Sequence, residues 1–237
     1  MQVQQIATHA LSNPMITRYG AVLPDRFHDD DVVLDIGCGG GSFSRAALGR
    51  GARHVCAVEP AAHSLGRARK CLADDIAAGR IDLVEGTVWS FDAAGAILRR
   101  QRKRASKSSG EKACGHRIPE THLNLIKRFS LDVLIDCYGK NGTKRIALAK
   151  LDCKGGEWSI LAHTPNLTAV DTLCGTLYVP DAGPLPAASL KRIDLIKSFV
   201  ALLDDRGFTT SVDVRNKPDG TSSILGSFWA RNRGAHH

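Results

Sequence analysis

No stretch of this chain stays apolar for the roughly 20 residues that a membrane-crossing helix requires, so no membrane span is expected. The first ten residues, Met1 to Ala10, lack the basic start and the continuous apolar run of a secretory leader. The expectation is therefore a chain that is not exported and works in the cytoplasm. No two of the seven cysteines, at 38, 56, 71, 114, 137, 153 and 174, form a C-x-x-C pair or a framework spacing. Reduced thiols rather than disulfides are expected. No second Cys/His pair at zinc-site spacing accompanies Cys114, His116 and His122, so these read as loop residues and no metal site is expected.

What is present is enough for one substantial core. At 237 residues and 25.5 kDa, with 43% hydrophobic and 24% charged residues, the chain has the composition of a globular protein. A domain of this mass buries about 70% of its unfolded surface. The net charge of +8 is concentrated: Arg99, Arg100, Arg102, Lys103, Arg104, Lys107 and Lys112 face only Glu111 between residues 99 and 112. That segment carries +6, leaving +2 for the rest. A serine-rich run of like charges reads first as a solvated loop and second as a contact for nucleic acid or an anionic substrate. It has no interleaved aromatic residue on which a base would stack.

From Val32 onward, strand-length apolar segments alternate with segments of helical period, the pattern of an α/β domain with a mostly parallel sheet. Strands are expected at 32–36, 54–59, 81–84, 145–151, within 169–179, at 208–214 and at 223–230, seven in all. Helices are expected after Gly41, from Pro60 through Ile76, at 131–138, at 157–163 and at about 187–204. Residues 1–30 read as an N-terminal cap segment and 31–237 as the main domain, interrupted by a basic insertion at about 99–121.

The chemistry concentrates at Val32-Val-Leu-Asp-Ile-Gly-Cys-Gly-Gly-Gly-Ser-Phe43. A glycine-rich turn between the first strand and the next helix lets a nucleotide-like ligand lie against bare backbone. A dinucleotide fingerprint needs a glycine at 42, where this chain has Ser42. Asp35 would set a negative charge where a pyrophosphate belongs, whereas S-adenosylmethionine brings an ammonium and a sulfonium that a carboxylate attracts. Glu59, 20 residues beyond Gly39, ends the second strand where an acid accepts the ribose hydroxyls. The turn Gly86-Thr87-Val88 is expected to lie along adenine. These readings make Asp35, Gly37, Cys38, Gly39, Gly41, Glu59, Pro60, Thr87 and Val88 the expected cofactor-binding set, with S-adenosylmethionine as the cofactor; a dinucleotide site or a merely structural turn is the alternative.

Asp35-Ile-Gly-Cys-Gly-Gly40 and Val58-Glu-Pro60 resemble the first two motifs of class I methyltransferases. Ser130-Leu-Asp-Val-Leu-Ile-Asp-Cys-Tyr-Gly139, with Ile146 to Trp158, resembles the FkbM family, whose members read LD-x-L-I and then L-K-[IL]-D-[VC]-E-G-[AG]-E. The ending Phe228-Trp-Ala-Arg-Asn232 is similar too. The resemblance runs from about Val32 to Asn232. It implies a Rossmann-like fold with helices on both faces of a seven-stranded sheet, and O-methylation of hydroxyls on sugars or secondary metabolites, with a small-molecule or glycan acceptor as partner. The chain departs from the pattern at Lys154, where the family has glutamate, and at Thr176-Leu-Tyr178, where it often has Glu-x-His.

For the transfer itself, Asp152 at the end of the fourth strand is the expected base or acceptor anchor, its alternative being a cap for the following helix. Glu157 is the second catalytic candidate, its alternative being stabilisation of a helix dipole. Lys154 would orient an anionic acceptor or stand at the surface. His9, His28 and His63 stand apart from any catalytic pattern, and Trp158 and Trp229 read as core or cleft-wall residues. No Asn/Asp-Pro-Pro-aromatic motif follows the fourth strand, which weighs against methylation of base amino groups. RNA methylation through the basic segment, or a cofactor-binding protein that has lost catalysis, are the alternative functions.

Overall fold

The computed structural model of the chain describes residues 23–89, 127–139, 145–179, 192–214 and 224–235. The expected basic insertion, the metal-ligand candidates Cys114, His116 and His122, and His9 all lie outside them.

In chain order the elements are β1 (Val32–Ile36), α1 (Ser42–Gly49), β2 (His54–Glu59), α2 (Ala62–Cys71), α3 (Ala73–Ala77), β3 (Ile81–Val88), β4 (Lys127–Phe129), α4 (Leu131–Gly139), β5 (Ile146–Leu151), α5 (Glu157–Ala162), β6 (Val170–Tyr178), α6 (Arg192–Asp205), β7 (Phe208–Val214) and β8 (Ile224–Asn232). They build one sheet in the order β4-β3-β2-β1-β5-β6-β8-β7. Pairings are parallel from β4 through β6, and β8 runs antiparallel between β6 and β7. β1 and β5 are buried throughout, as strands covered on both faces must be.

Helices cover both faces. Phe43, Ala47 and Leu48 of α1 and Ala68 of α2 pack with Val33, Val55 and Ala57 of the strands. On the other face Leu134 and Ile135 of α4, Leu161 of α5, and Leu195, Phe199 and Leu203 of α6 pack with Leu34, Ile36 and Val58. Alternate residues of one strand thus feed two separate cores, which is the period-two geometry of a central strand.

The class of fold follows the sequence reading, with three corrections. The sheet has eight strands instead of seven: β4 adds an edge through Gly86↔Lys127 to Val88↔Phe129. Three residues reading Lys-Arg-Phe carry no alternation for a periodicity argument to detect. Gly86-Thr87-Val88 is consequently strand and not a turn, because its backbone groups pair with β4. The helix expected through Ile76 breaks at Leu72, which joins α2 to α3 and is fully buried. Leu72 fills the space in front of Gly41, where a Cβ would stand 2.6 Å from its Cδ1.

Of the expected cap segment, residues 23–30 are described, and they lie at the end of the sheet where the strands begin. Phe27 donates its amide to Arg50 O at 2.8 Å, and Leu23 and Phe27 are buried against the α1 face. That is the end opposite the glycine turn. Among the described residues no helix is long and apolar enough to cross a membrane.

Candidate cofactor site and transfer site

The carboxyl ends of β1, β2, β5 and β6 meet at the glycine turn, the position where open α/β sheets take their ligands. Gly37 and Cys38 donate their amides to Val58 O at 2.9 and 3.1 Å, which fastens the turn to β2. Gly37, Gly39 and Gly41 all have left-handed backbones, with φ of 75°, 57° and 83°. The three differ in their surroundings. A Cβ on Gly37 would stand 2.5 Å from Asp152 O, so the glycine is required by contact with β5's end as well as by conformation. Nothing lies within 4 Å of a Cβ placed on Gly39, so the turn presents bare backbone to open space there.

Glu59 is 8% exposed, and its two oxygens accept the amides of Gly39 and Ala61, each at 2.9 Å. It therefore joins the crest of the turn to the start of α2. Pro60 lies between these contacts and ahead of the helix, whose first residue is Ala62. Cys38 is 5% exposed; burial, with Asp35 and Glu59 nearby, pushes its thiol far above the ordinary range, so it lines the turn as a protonated, apolar group.

Asp35 is a correction to the electrostatic reading. Its side chain is fully buried, with Oδ1 accepting from Lys150 Nζ at 2.9 Å and Oδ2 from Ser44 Oγ at 2.6 Å. Lys150 Nζ also donates to Gly37 O at 2.7 Å. The carboxylate is turned beneath the glycine turn and matched by a cation, so its charge does not confront the ligand. It holds the turn instead. Sequence reasoning missed Lys150, although a cation in the apolar run Ile146 to Leu151 signals a buried charge that needs a partner.

Thr87 is half-buried and Val88 is buried in β3, beyond the register at which Glu59 pairs with Glu85. They extend past the ends of the neighbouring strands as backbone-paired residues.

Asp152 follows β5 directly. Its amide donates to Ile36 O at 3.0 Å, which sets it against the start of the glycine turn. Its Oδ1 accepts from Tyr178 Oη at 3.2 Å. From the sequence Tyr178 is named only as a departure from the family's pattern and given no role, since the residue types at the end of β6 differ from those the resemblance supplies. Thr176, two residues earlier, is fully buried.

Glu157 is not turned toward an acceptor. It is fully buried, and its carboxylate accepts the amides of Cys153 and Gly155. Burial pushes its pKa up to about 7, against those amides, which favour the charged form. Glu157 thus clasps the loop that carries Asp152. Lys154, exposed in that loop, has φ of 54° and is the only non-glycine residue with positive φ among those described.

The remaining candidates lie away from the turn. His28 donates its backbone amide to Asp31 Oδ2 at the far end of the sheet, and His63 is exposed on the first turn of α2. Trp158 packs edge-on against Phe199 with ring centroids 5.1 Å apart, and Trp229 packs against the α1 face of the core. Among the described residues no group of three His, Cys, Asp or Glu side chains is arranged to hold a metal ion.

Residues 33–98 match the family model of a methyltransferase domain. The sheet and its flanking helices have the Rossmann-like fold of class I methyltransferases. The match implies S-adenosylmethionine as the cofactor. The open space over Gly39 beside the Glu59 carboxylate leaves room for such a ligand. Among solved structures, the chain is similar to a methyltransferase FkbM from Methylobacillus flagellatus, at 18% identity and a TM-score of 0.51, over 92% of this chain and 48% of that one. The chain therefore spans about half that protein's length. It is also similar to a precorrin-6y C5,15-methyltransferase from Geobacter metallireducens (16% identity, TM-score 0.44, 88% and 84% covered) and to an rRNA methylase from Streptococcus thermophilus (13% identity, TM-score 0.48, 94% and 99% covered). No curated protein matches the sequence.

Proposed function

We propose that this methyltransferase is an O-methyltransferase of FkbM type, acting on a hydroxyl of a sugar or secondary metabolite, with Asp152 as the proton acceptor. The observation that carries the reading is a half-buried carboxylate fixed at the glycine turn by its own amide and paired with a tyrosine hydroxyl. The bound cofactor supplies a methyl group already activated by the sulfonium. The chain's residues then have two tasks: to hold the cofactor and to ready the acceptor. Glu59 accepts the ribose hydroxyls, and the Gly39 backbone lets the cofactor lie close. Asp152 holds the acceptor hydroxyl at near-attack distance and takes its proton as the oxygen attacks. Glu157 and the Lys150–Asp35 pair support these groups from below.

RNA methylation is the second reading, motivated by the +6 segment and by Arg128, whose guanidinium lies 5.4 Å from the Trp89 ring centre where β3 ends beside β4. Methyl transfer from S-adenosyl-[methyl-³H]methionine to two pools separates the readings. One pool holds methyl glycosides of hexoses and deoxyhexoses with polyhydroxyphenols; the other is total RNA. Label is expected in the hydroxylated pool, and Asp152→Asn is expected to lower that rate at least about 100-fold with cofactor affinity unchanged. Label in RNA alone replaces the proposal with the second reading. Tight cofactor binding with label in neither pool identifies a protein that has lost catalysis.

A further inference from the structure

We infer that Tyr178 is a positioning residue for Asp152, its phenolic hydroxyl holding the carboxylate in place at the rim of the sheet. The inference rests on the proposed role of Asp152 and adds the group through which that role is exercised.

Both residues are anchored through their backbones, so the contact between their side chains is imposed by the fold. Asp152 is tied to β1 through its amide on Ile36 O. Tyr178 is the last residue of β6, three residues past Gly175, which pairs with the end of β5 at Leu151. The β6–β8 pairing shifts register between Leu177 and Tyr178, so the strand leaves its regular path at the tyrosine. There Trp158 Nε1 donates to Tyr178 O at 2.9 Å, while the indole is buried against Phe199 in the core. The main chain of Tyr178 is thereby fixed to α5 and α6. The ring then delivers its hydroxyl to Asp152 Oδ1 at 3.2 Å.

The residue type suits the task. A neutral donor orients the carboxylate and leaves its negative charge available, whereas a cation would neutralise it as Lys150 neutralises Asp35. In the transfer, the acceptor oxygen forms a bond to the methyl carbon and the carbon–sulfur bond breaks, its electron pair staying on sulfur as a thioether. The hydroxyl proton passes to Asp152. Tyr178 keeps its own proton throughout. Its contribution is geometric: a carboxylate free to rotate loses the alignment on which near-attack transfer depends.

Tyr178→Phe removes one oxygen and tests this in two ways. With the hydroxylated pool above as acceptor, kcat is expected to fall about 10-fold to 100-fold while the cofactor's KM and the melting temperature hold. In isotope-edited infrared spectra of protein labelled with ¹³C-aspartate, the carboxylate band that disappears in Asp152→Asn is expected to move in Tyr178→Phe. Tyr138→Phe, at the opposite end of the sheet, is expected to change neither. An unmoved band, or a moved band with unchanged kcat, overturns the inference. A fully active Asp152→Asn overturns the underlying reading; an inactive Asp152→Asn beside a fully active Tyr178→Phe overturns the positioning role alone.

Discussion

Two carboxylates that look alike in the sequence have opposite roles. Asp35 and Glu59 flank the same turn, but Asp35 is neutralised by Lys150 below it and Glu59 joins the turn's crest to the start of α2 through the Gly39 and Ala61 amides. In the proposed cofactor site, discrimination against a phosphate-bearing ligand is then assigned to Glu59. The buried pair has a different duty, since Lys150 Nζ also holds Gly37 O. Lys150→Met leaves a fully buried anion without its cation, and breaking such a pair costs about 3–5 kcal/mol. Urea unfolding is expected to show that loss, with cofactor affinity by calorimetry falling at least about tenfold. Combining it with Asp35→Leu, which removes the stranded charge, is expected to restore most of the stability, whereas an additive double mutant refutes the coupling. The thiols need no such partner: burial pushes Cys56 up to about 12, so it packs as an apolar side chain.

At the scale of elements, the two loops at the strand ends are built by different devices. The first depends on missing side chains. Gly37→Ala drives a Cβ into Asp152 O, a backbone atom that cannot yield without moving β5's end, whereas Gly39→Ala meets open space and carries only the left-handed penalty of about 1–2 kcal/mol. Calorimetry is expected to find no cofactor binding for the first variant. For the second, thermal denaturation is expected to show a folded protein with a modestly lowered transition.

The other loop, 152–156, depends on a side chain that is present, Glu157. Its folded pKa of about 7 lies above the unfolded carboxylate value, so the native state holds the extra proton. The resulting stabilisation is complete at low pH and is lost as pH rises from about 4.5 to about 7. Glu157→Gln removes this titration. The stability difference, wild type minus variant, is expected to decline across that window and flatten above it in urea titrations from pH 5 to 8. A constant difference excludes the buried titration.

For the whole molecule, charge is divided between a nearly neutral body and the run at 99–112. Deleting that run lowers the net charge from +8 to +2. On the sequence reading of the run as a solvated loop, its removal is expected to leave cofactor affinity, melting temperature and methylation of the hydroxylated pool unchanged, and to abolish any retention of RNA at low salt. Loss of hydroxyl methylation on deletion assigns the run to the acceptor site instead. The strands at the centre of the sheet were legible because they are apolar runs of five or six residues that alternate with helical segments; β4 was not, being three residues with no pattern.

Sequence by itself determined the alternation of strands and helices, the glycine turn and the acid that ends β2, since propensity, periodicity and backbone freedom are local properties written in neighbouring residues. Tertiary structure decided which charges face the ligand. Asp35 and Lys150 lie 115 residues apart and Asp152 and Tyr178 lie 26 apart, and only the parallel register of β1 with β5 and of β5 with β6 brings each pair together. A carboxylate's function is set by what it touches, and such contacts form between strands that are distant in the chain.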